Sequence, residues 1–198
     1  MNLIGGGGRA SLILVRHAMP AFSPDVPADE WTLSAEGLAA AQVLAGHLPA
    51  GARLVASTEP KAYQTLEPAG PVLRDGRFAE VRREGEPWDG PFRELRRSYV
   101  SGVDHAGWEP RSAVAARFEA GVREHLAAAN GQPLVVASHG MAMTVWLSTR
   151  LGLPDPGQFW ADLRFPDAIW VDPSRADPSR PDPPYFMVGR GVGVSDSW

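Results

Sequence analysis

The chain has 198 residues, 44% of them hydrophobic and 9% aromatic, so it can bury one substantial core, and we expect a single domain over 1–198. A net charge of −4 disfavours a nucleic-acid partner, and the absence of cysteine excludes disulfides, zinc thiolate sites and a cysteine nucleophile. Because no apolar run approaches the roughly 20 residues that span a bilayer, we expect a cytoplasmic protein without a membrane partner.

Short apolar runs alternate along the chain with longer helical patterns, which predicts an α/β fold. We predict a single-domain three-layer sandwich with a mostly parallel sheet, helices on both faces and a short cap region. The predicted strands span 11–15, 53–57, 71–74, 133–138, 168–172 and 185–189.

Three helices are predicted between these strands. The first is capped by Ser34, whose hydroxyl can accept a bond from a free backbone amide. Its expected buried stripe consists of Leu38, Ala41, Ala45 and Leu48. The second helix, over 112–131, has apolar residues spaced by four, and the third runs from 139 to about Gly152.

Three further segments are expected to be irregular. Residues 1–10 contain a run of glycines and are predicted to form a flexible tail, and the proline-rich residues 173–184 are predicted to form a loop. Residues 76–111 are rich in arginine, glutamate, glycine and proline. Either they form a lid suited to anionic substrates, or the stretch 92–100 is a solvated amphipathic helix; the sequence favours neither.

Several familiar catalytic motifs find no support. The glycine run precedes the first strand, whereas a dinucleotide site needs its glycines between a strand and a helix. The sequence contains neither a G-x-S-x-G nucleophile elbow nor a His-Glu-x-x-His zinc motif. A nucleotide cofactor, a serine hydrolase and a zinc protease are therefore not expected.

Polar residues follow directly after three of the predicted strands. Arg16 and His17 follow the first strand, and the segment 57–61 follows the second. His139 follows a strand that ends on Ser138, at the start of a helix. Because the carboxyl ends of parallel strands share one edge of a sheet, these groups should meet in one pocket. Cations and helix amides attract oxyanions, so such a pocket suits a phosphoryl group.

The histidines need individual interpretation, because a lone histidine after a strand is more often structural than catalytic. Two histidines at equivalent strand ends, His17 and His139, favour a function. His47 and His125 lie near predicted helix C-termini, where an imidazole is stabilised, and are interpreted as structural. The role of His105 is left open.

Five stretches, taken in order, resemble the motifs of the histidine phosphatase superfamily, the phosphoglycerate-mutase-like enzymes. They are LVRHA, LSAEGLAAAQVLAGHL, ASTEPKAYQTLEP, FAEVRREGEPWDG and VVASHGMAM. The resemblance covers roughly residues 10 to 150, and the combination of the Arg-His end with a downstream Ser-His-Gly end and the A-x-Q-T stretch is specific. Because the family places substrate-selecting insertions there, the resemblance implies that residues 76–111 form the cap or insert over the pocket.

The resemblance implies a role for each matching residue. His17 matches the nucleophile that forms a phosphohistidine, Arg16 a phosphate-binding arginine, and His139 the second histidine, which bonds the phosphoryl oxygens. We expect Ser57 and Gly140 to contact the phosphate as well. Physical reasoning agrees, because a histidine attacks phosphorus only as neutral imidazole, and neighbouring cations favour that form.

The resemblance also implies a carboxylate that serves as general acid to the leaving oxygen and then as base to water. Glu80, in FAEV, matches it, with Glu84 and Glu86 as the alternatives. A general acid that works near neutral pH is expected to have a raised pKa, at the mouth of the pocket.

One departure from the family pattern concerns phosphate binding. Lys61 stands where a second arginine is usual, and it keeps the charge but loses the planar fork that grips an oxyanion. Replacement of Lys61 by arginine is therefore expected to raise turnover, with Arg82 and Arg83 as candidates to compensate in the natural chain. The alternative is that Lys61 is only a surface residue in the first turn of a helix.

These observations predict a metal-independent phosphomonoester hydrolase, without a cofactor, that acts on a small phosphorylated substrate through His17. Two alternatives stay open: phosphoryl transfer of the phosphoglycerate mutase type, and a weakly active or non-catalytic phosphate-binding relative. Whether the chain forms a homodimer is also left open.

Overall fold

The computed structural model describes residues 12–86 and 90–171, together with the backbone of 187–190. Its sheet has six strands in the order β3-β2-β4-β1-β5-β6. They are β1 (Leu12–Arg16), β2 (Arg53–Ala56), β3 (Leu73–Arg74), β4 (Leu134–Ser138), β5 (Asp167–Val171) and β6 (Met187–Arg190). The first four strands pair in parallel, whereas β5 runs antiparallel to β1, and β6 antiparallel to β5.

The described residues form six α-helices between or beside these strands. They are α1 (Ala35–Ala45), α2 (Pro60–Leu66), α3 (Phe92–Val100), α4 (Arg111–Ala128), α5 (Gly140–Leu151) and α6 (Pro156–Ala161). Among the described residues, no helix combines the length and the apolar character needed to cross a bilayer.

The alternation of side chains along the strands builds one core on each side of the sheet. Leu12 and Leu14 of β1 pack in a cluster with α4 and α5, whereas Ile13 and Val15 face a second cluster that includes residues of α1 and α2. All four side chains are fully buried, because helices cover both faces of the sheet. The predicted three-layer α/β sandwich with a mostly parallel sheet is confirmed.

Most predicted elements match the structure closely. The helix predicted from 139 ends where expected, with Gly152 in the left-handed region at φ 62°. The predicted third strand is shorter, since only Leu73 and Arg74 pair with β2. Helix α6 was not predicted, although Asp155 caps it by accepting a bond from the Gln158 amide. The predicted tail over 1–10 and loop over 173–184 lie outside the described residues.

The predicted buried stripe of α1 is confirmed only in part: Ala41 is fully buried and Leu48 packs against a core cluster, but Leu38 does not belong to the stripe. Leu38 is 51% exposed, and the face that packs inward consists of Gly37, Ala41 and Leu44. The reason is a close approach of two backbones, because a Cβ at position 37 would overlap the carbonyl oxygen of Met19. Because Gly37 has no side chain, this side of α1 can pack against the loop that follows β1.

This close contact predicts that Gly37→Ala lowers the free energy of unfolding by about 2 kcal/mol or more, because the obstacle is backbone and cannot rotate away. Gly46→Ala at the end of the same helix is the matched control. A Cβ there would meet only the Val43 carbonyl oxygen at 3.5 Å, so a change within about 1 kcal/mol is expected. Urea unfolding of both variants measures the difference, and equal stabilities would contradict the proposed contact.

Candidate active site

The two histidines at the strand ends lie side by side. Arg16 of β1 pairs in register with Ser138 of β4, and the amide of His17 donates to the Ser138 carbonyl at 3.0 Å. The ring centroids of His17 and His139 are consequently only 5.1 Å apart, and the two residues are 6% and 1% exposed. The sheet order therefore brings together two groups that lie more than a hundred residues apart in the chain.

The hydrogen bonds of His17 define which ring nitrogen can react. Its Nδ1 lies 2.8 Å from the carbonyl oxygen of Ala18, and since a carbonyl only accepts, Nδ1 carries the proton. The lone pair is then on Nε2. Burial, followed by electrostatic interaction with His139 and then with Arg16, holds the pKa of His17 well below its usual value. At neutral pH the ring is therefore uncharged and able to act as a nucleophile.

Helix α2 fixes the backbone next to His17. The amide of Ala18 donates to Thr65 Oγ1 at 2.9 Å, and that hydroxyl donates in turn to the Lys61 carbonyl at 2.7 Å. Gln64 Oε1 accepts a bond of 2.8 Å from the Leu33 amide. These contacts give a physical role to Gln64 and Thr65 of the A-x-Q-T stretch: their side chains bind the backbone of the two loops next to the site. The sequence alone did not indicate this role.

We therefore expect Thr65→Val to lower kcat by about tenfold or more with little change in KM, because the buried Ala18 amide loses its acceptor and the neighbouring His17 shifts. Thr65→Ser keeps the hydroxyl and should restore kcat to within about threefold of the natural enzyme. Steady-state kinetics on both variants measures this effect. A kcat equally low in Thr65→Ser would show that the methyl group, not the hydrogen bond, matters.

Arg16 has a buried donor that makes no hydrogen bond within the described part of the chain. Its Nη1 donates to the Leu163 carbonyl at 2.5 Å, and its guanidinium lies 3.5 Å from the ring centroid of Phe165. Its Nε is buried and has no hydrogen-bond partner among the described residues. Burial lowers the pKa of Arg16 to about 10, so the group is still a cation at neutral pH. The free Nε donor is suited to an incoming oxyanion.

Gly140 at the start of α5 provides room for this arginine. A Cβ there would lie 3.2 Å from Trp160 Nε1 and 3.4 Å from Arg16 Nε. Ser57, the other small residue expected at the phosphate, is fully buried, and its Oγ accepts a bond of 3.2 Å from the Glu59 amide. That the two residues bind phosphate stays a prediction.

The carboxylate of Glu80 lies at the N-terminus of α5. It accepts bonds from the amides of Ala142 (2.9 Å) and Met141 (3.3 Å), and from its neighbour Val81 (2.9 Å). Burial alone would raise its pKa, but His139, Arg83 and the Val81 amide outweigh burial and lower it. The expectation of a raised pKa is therefore wrong for the unliganded protein, because His139, Arg83 and the Val81 amide stabilise the charged form.

The two alternative carboxylates lie elsewhere. Glu84 is exposed, and Glu86 is held between Arg83, at 2.9 Å, and Arg96, at 2.6 Å. Two arginines, Arg82 and Arg83, were expected to compensate for Lys61 by binding phosphate. In the structure Arg83 is bound to Glu86, and Arg82 is an exposed side chain near Glu109. Neither is therefore placed to bind phosphate. Of the three carboxylates, Glu80 is the one that the structure brings to the histidine pair.

Lys61 is buried, with only 5% exposure, so its interpretation as a surface residue is wrong. Its Nζ donates to Glu59 Oε2 and to the Ala28 carbonyl, both at 2.5 Å. Glu59, the partner of Lys61, was not identified as a site residue from the sequence. A carboxylate two residues before the unusual lysine could have indicated an ion pair. Glu59 Oε1 accepts a 2.7 Å bond from the Glu80 amide and lies 3.2 Å from His139 Nε2.

The remaining candidates lie outside this site. His125 bonds to Asp75 at 2.9 Å near the end of α4, and His105 bonds to Ser98 at 2.9 Å and packs against Trp108. The described residues contain no group of three His, Asp or Glu side chains placed to hold a metal ion. That the reaction needs no metal stays a prediction.

The solved structures that resemble this chain have the same fold. A mycobacterial glucosyl-3-phosphoglycerate phosphatase matches with a TM-score of 0.62 and 22% identity, over 81% of this chain and 89% of its own. The protein TTHB049 from Thermus thermophilus matches with a TM-score of 0.59 and 24% identity, over 82% and 93%. No curated protein sequence matches this chain. The family model of the histidine phosphatase superfamily (branch 1) matches residues 12–168, and the chain belongs to that superfamily.

Proposed function

We propose that this protein is a phosphomonoesterase that transfers the phosphoryl group through Nε2 of His17. The observation that carries the proposal is the neutral His17 with Nδ1 bonded and the lone pair on Nε2, beside His139 and the Arg16 Nε, which has no hydrogen-bond partner in the described part of the chain. The membership of the superfamily supports phosphatase or mutase chemistry. A structurally similar mycobacterial phosphatase has been solved with VO3 and with inorganic phosphate, which supports an oxyanion as the ligand.

The proposed reaction has two steps. In the first, Nε2 attacks phosphorus, the bond from phosphorus to the ester oxygen breaks, and Glu80 gives a proton to the leaving oxygen. In the second, Glu80 takes a proton from water, water oxygen bonds to phosphorus, and the bond from nitrogen to phosphorus breaks. Arg16 and His139 stabilise the equatorial oxygens in both steps. The products are the alcohol and inorganic phosphate, and His17 is regenerated.

Glu80 must be protonated in the first step, although its pKa is lowered in the free protein. Binding of a phosphoryl dianion places negative charge beside the carboxylate, which raises its pKa and favours proton uptake. The substrate itself thus prepares the acid that its leaving group needs.

The experiment is hydrolysis of para-nitrophenyl phosphate in the presence of a chelator, combined with a denaturing quench at alkaline pH. We expect turnover and a protein-bound phosphate that is stable to alkali and labile to acid, as a phosphohistidine is. Turnover without protein-bound phosphate, or turnover abolished by the chelator, would contradict the proposal.

A second candidate is a weakly active phosphate-binding relative, which the pairing of Lys61 with Glu59 favours. It predicts binding of inorganic phosphate without protein-bound phosphate after the quench. A mutase would form the same phosphohistidine but would return the phosphoryl group to a second hydroxyl of the substrate faster than to water.

A further inference from the structure

A second carboxylate, that of Glu59, lies within the group of residues expected to bind phosphate. It is 8% exposed and contacts Lys61 through Oε2, while its Oε1 lies 3.2 Å from His139 Nε2. This Oε1 contact with His139 lacks the geometry of a hydrogen bond, so Nε2 has no partner among the described residues. Glu59 therefore lies against two of the groups that a phosphoryl oxygen would contact.

Two carboxylates offset two cations in this group of residues. Arg16 and Lys61 supply two positive charges, and Glu59 and Glu80 supply two negative ones. His17 and His139 add none at neutral pH, since burial holds the pKa of each well below its usual value. The two cations that a phosphoryl dianion would meet are thus balanced by carboxylates, whereas oxyanion sites ordinarily present a positive excess.

The backbone near Glu59 holds the carboxylate in this position. Its amide donates to Ser57 Oγ at 3.2 Å, and its Oε1 accepts the 2.7 Å bond from the Glu80 amide. Proline follows at position 60 and begins α2, so the turn that carries Glu59 is short and restricted. The contact with Lys61 is therefore a built feature of the strand end after β2.

We propose that Glu59 sets the affinity of the site for phosphate, because it is an internal carboxylate that competes with the phosphoryl group for Lys61 and for the space beside His139 Nε2. The inference rests on the proposed function for its physiological meaning, but phosphate binding tests it independently of turnover. A substrate gains Lys61 only when the Glu59 carboxylate is displaced or neutralised. The alternative is that Glu59 merely orients Lys61 for phosphate.

The first test is Glu59→Gln, which keeps the shape and an oxygen for the Glu80 amide but removes the charge. Titration calorimetry with inorganic phosphate should give a dissociation constant about tenfold lower than that of the natural protein, because Lys61 and its charge become available. Glu67→Gln is the matched control, since Glu67 is an exposed carboxylate 3.7 Å from Arg74. It should leave the constant within about twofold.

The second test is the double variant Glu59→Gln with Lys61→Gln. It removes both charges of the ion pair together, so no buried charge loses its partner. The double variant therefore stays informative if Glu59→Gln alone fails to fold. Competition predicts a dissociation constant for phosphate within about threefold of the natural protein, since the pair already cancels. An orienting role predicts a loss of affinity in both variants. Weaker phosphate binding by folded Glu59→Gln, or a loss of more than about tenfold in the double variant, would overturn the proposal.

This geometry also amends the expectation for Lys61→Arg. An arginine at position 61 would meet the Glu59 carboxylate first and could pair with it through two parallel hydrogen bonds. We therefore expect a rise in turnover only when Glu59→Gln accompanies it. If Glu59→Gln binds phosphate more tightly but the natural protein and its variants hydrolyse no phosphomonoester, the role of Glu59 is supported and the proposed phosphatase is contradicted. A failure of the Glu59 proposal can thus be distinguished from a failure of the proposed function.

Discussion

His17→Ala is expected to reduce turnover of para-nitrophenyl phosphate by about 10³-fold or more, since the proposed reaction has no second nucleophile at that position. Protein-bound phosphate should disappear in the same variant. Affinity for inorganic phosphate should change much less, because Arg16 and His139 are still present. The loss is therefore expected in kcat rather than in phosphate binding.

The matched control is His47→Ala, because His47 is an exposed side chain beyond the end of α1. Its turnover and its quench signal should be those of the natural protein. Protein-bound phosphate that persists in His17→Ala would mean that another residue is the nucleophile. His139 would then be the first alternative, since its ring lies 5.1 Å away and is also neutral.

The natural enzyme should also keep its nucleophile active on the acidic side of neutrality. The reactive form of His17 is the neutral one, and burial lowers its pKa, so protonation sets in only well below pH 6.5. If the pKa of His17 were raised instead, the ring would be protonated and activity would already be lost at neutral pH.

The position of the site was predictable from local patterns. Each strand end is marked by a change from apolar residues to Arg16-His17, to Ser57 or to Ser138-His139, and parallel strands share an edge. The sequence could not specify the strand order, but any order that makes the first and fourth strands neighbours brings the two histidines together. The order found, with β4 between β2 and β1, also brings the segment from Ser57 to Lys61 to the same edge.

What the sequence could not supply are the partners of each charged group. The pairing of Lys61 with Glu59 depends on the path of the turn after β2, and the lowered pKa of Glu80 depends chiefly on His139, a residue from a distant part of the chain. The wrong assignment of Leu38 to the buried face of α1 has the same origin, because the backbone of Met19 packs against Gly37 in a contact that helical periodicity does not encode. Hydrophobic patterns thus predict the layers, whereas the electrostatics of the site arises from tertiary neighbours.

Glu80→Gln is expected to lower kcat by about 10²-fold or more, because it removes the proton donor of the first step and the base of the second. The two steps should respond differently to the leaving group. Para-nitrophenolate leaves without a proton, so phosphorylation of His17 stays fast and only hydrolysis of the phosphohistidine is slow. An alkyl phosphate needs the proton, so its first step becomes slow as well.

Rapid mixing of Glu80→Gln with para-nitrophenyl phosphate should therefore release a burst of nitrophenolate close to one equivalent, and the quench should trap phosphorylated protein. An alkyl phosphate should give neither a burst nor trapped phosphate. Glu84→Gln is the matched control: its carboxylate is exposed, and it should keep turnover and show no burst beyond that of the natural enzyme. A burst in Glu84→Gln or Glu86→Gln, with normal turnover in Glu80→Gln, would assign the acid to that residue instead. The contrast between leaving groups separates lost proton transfer from a distorted site, because distortion would slow phosphorylation by both substrates alike.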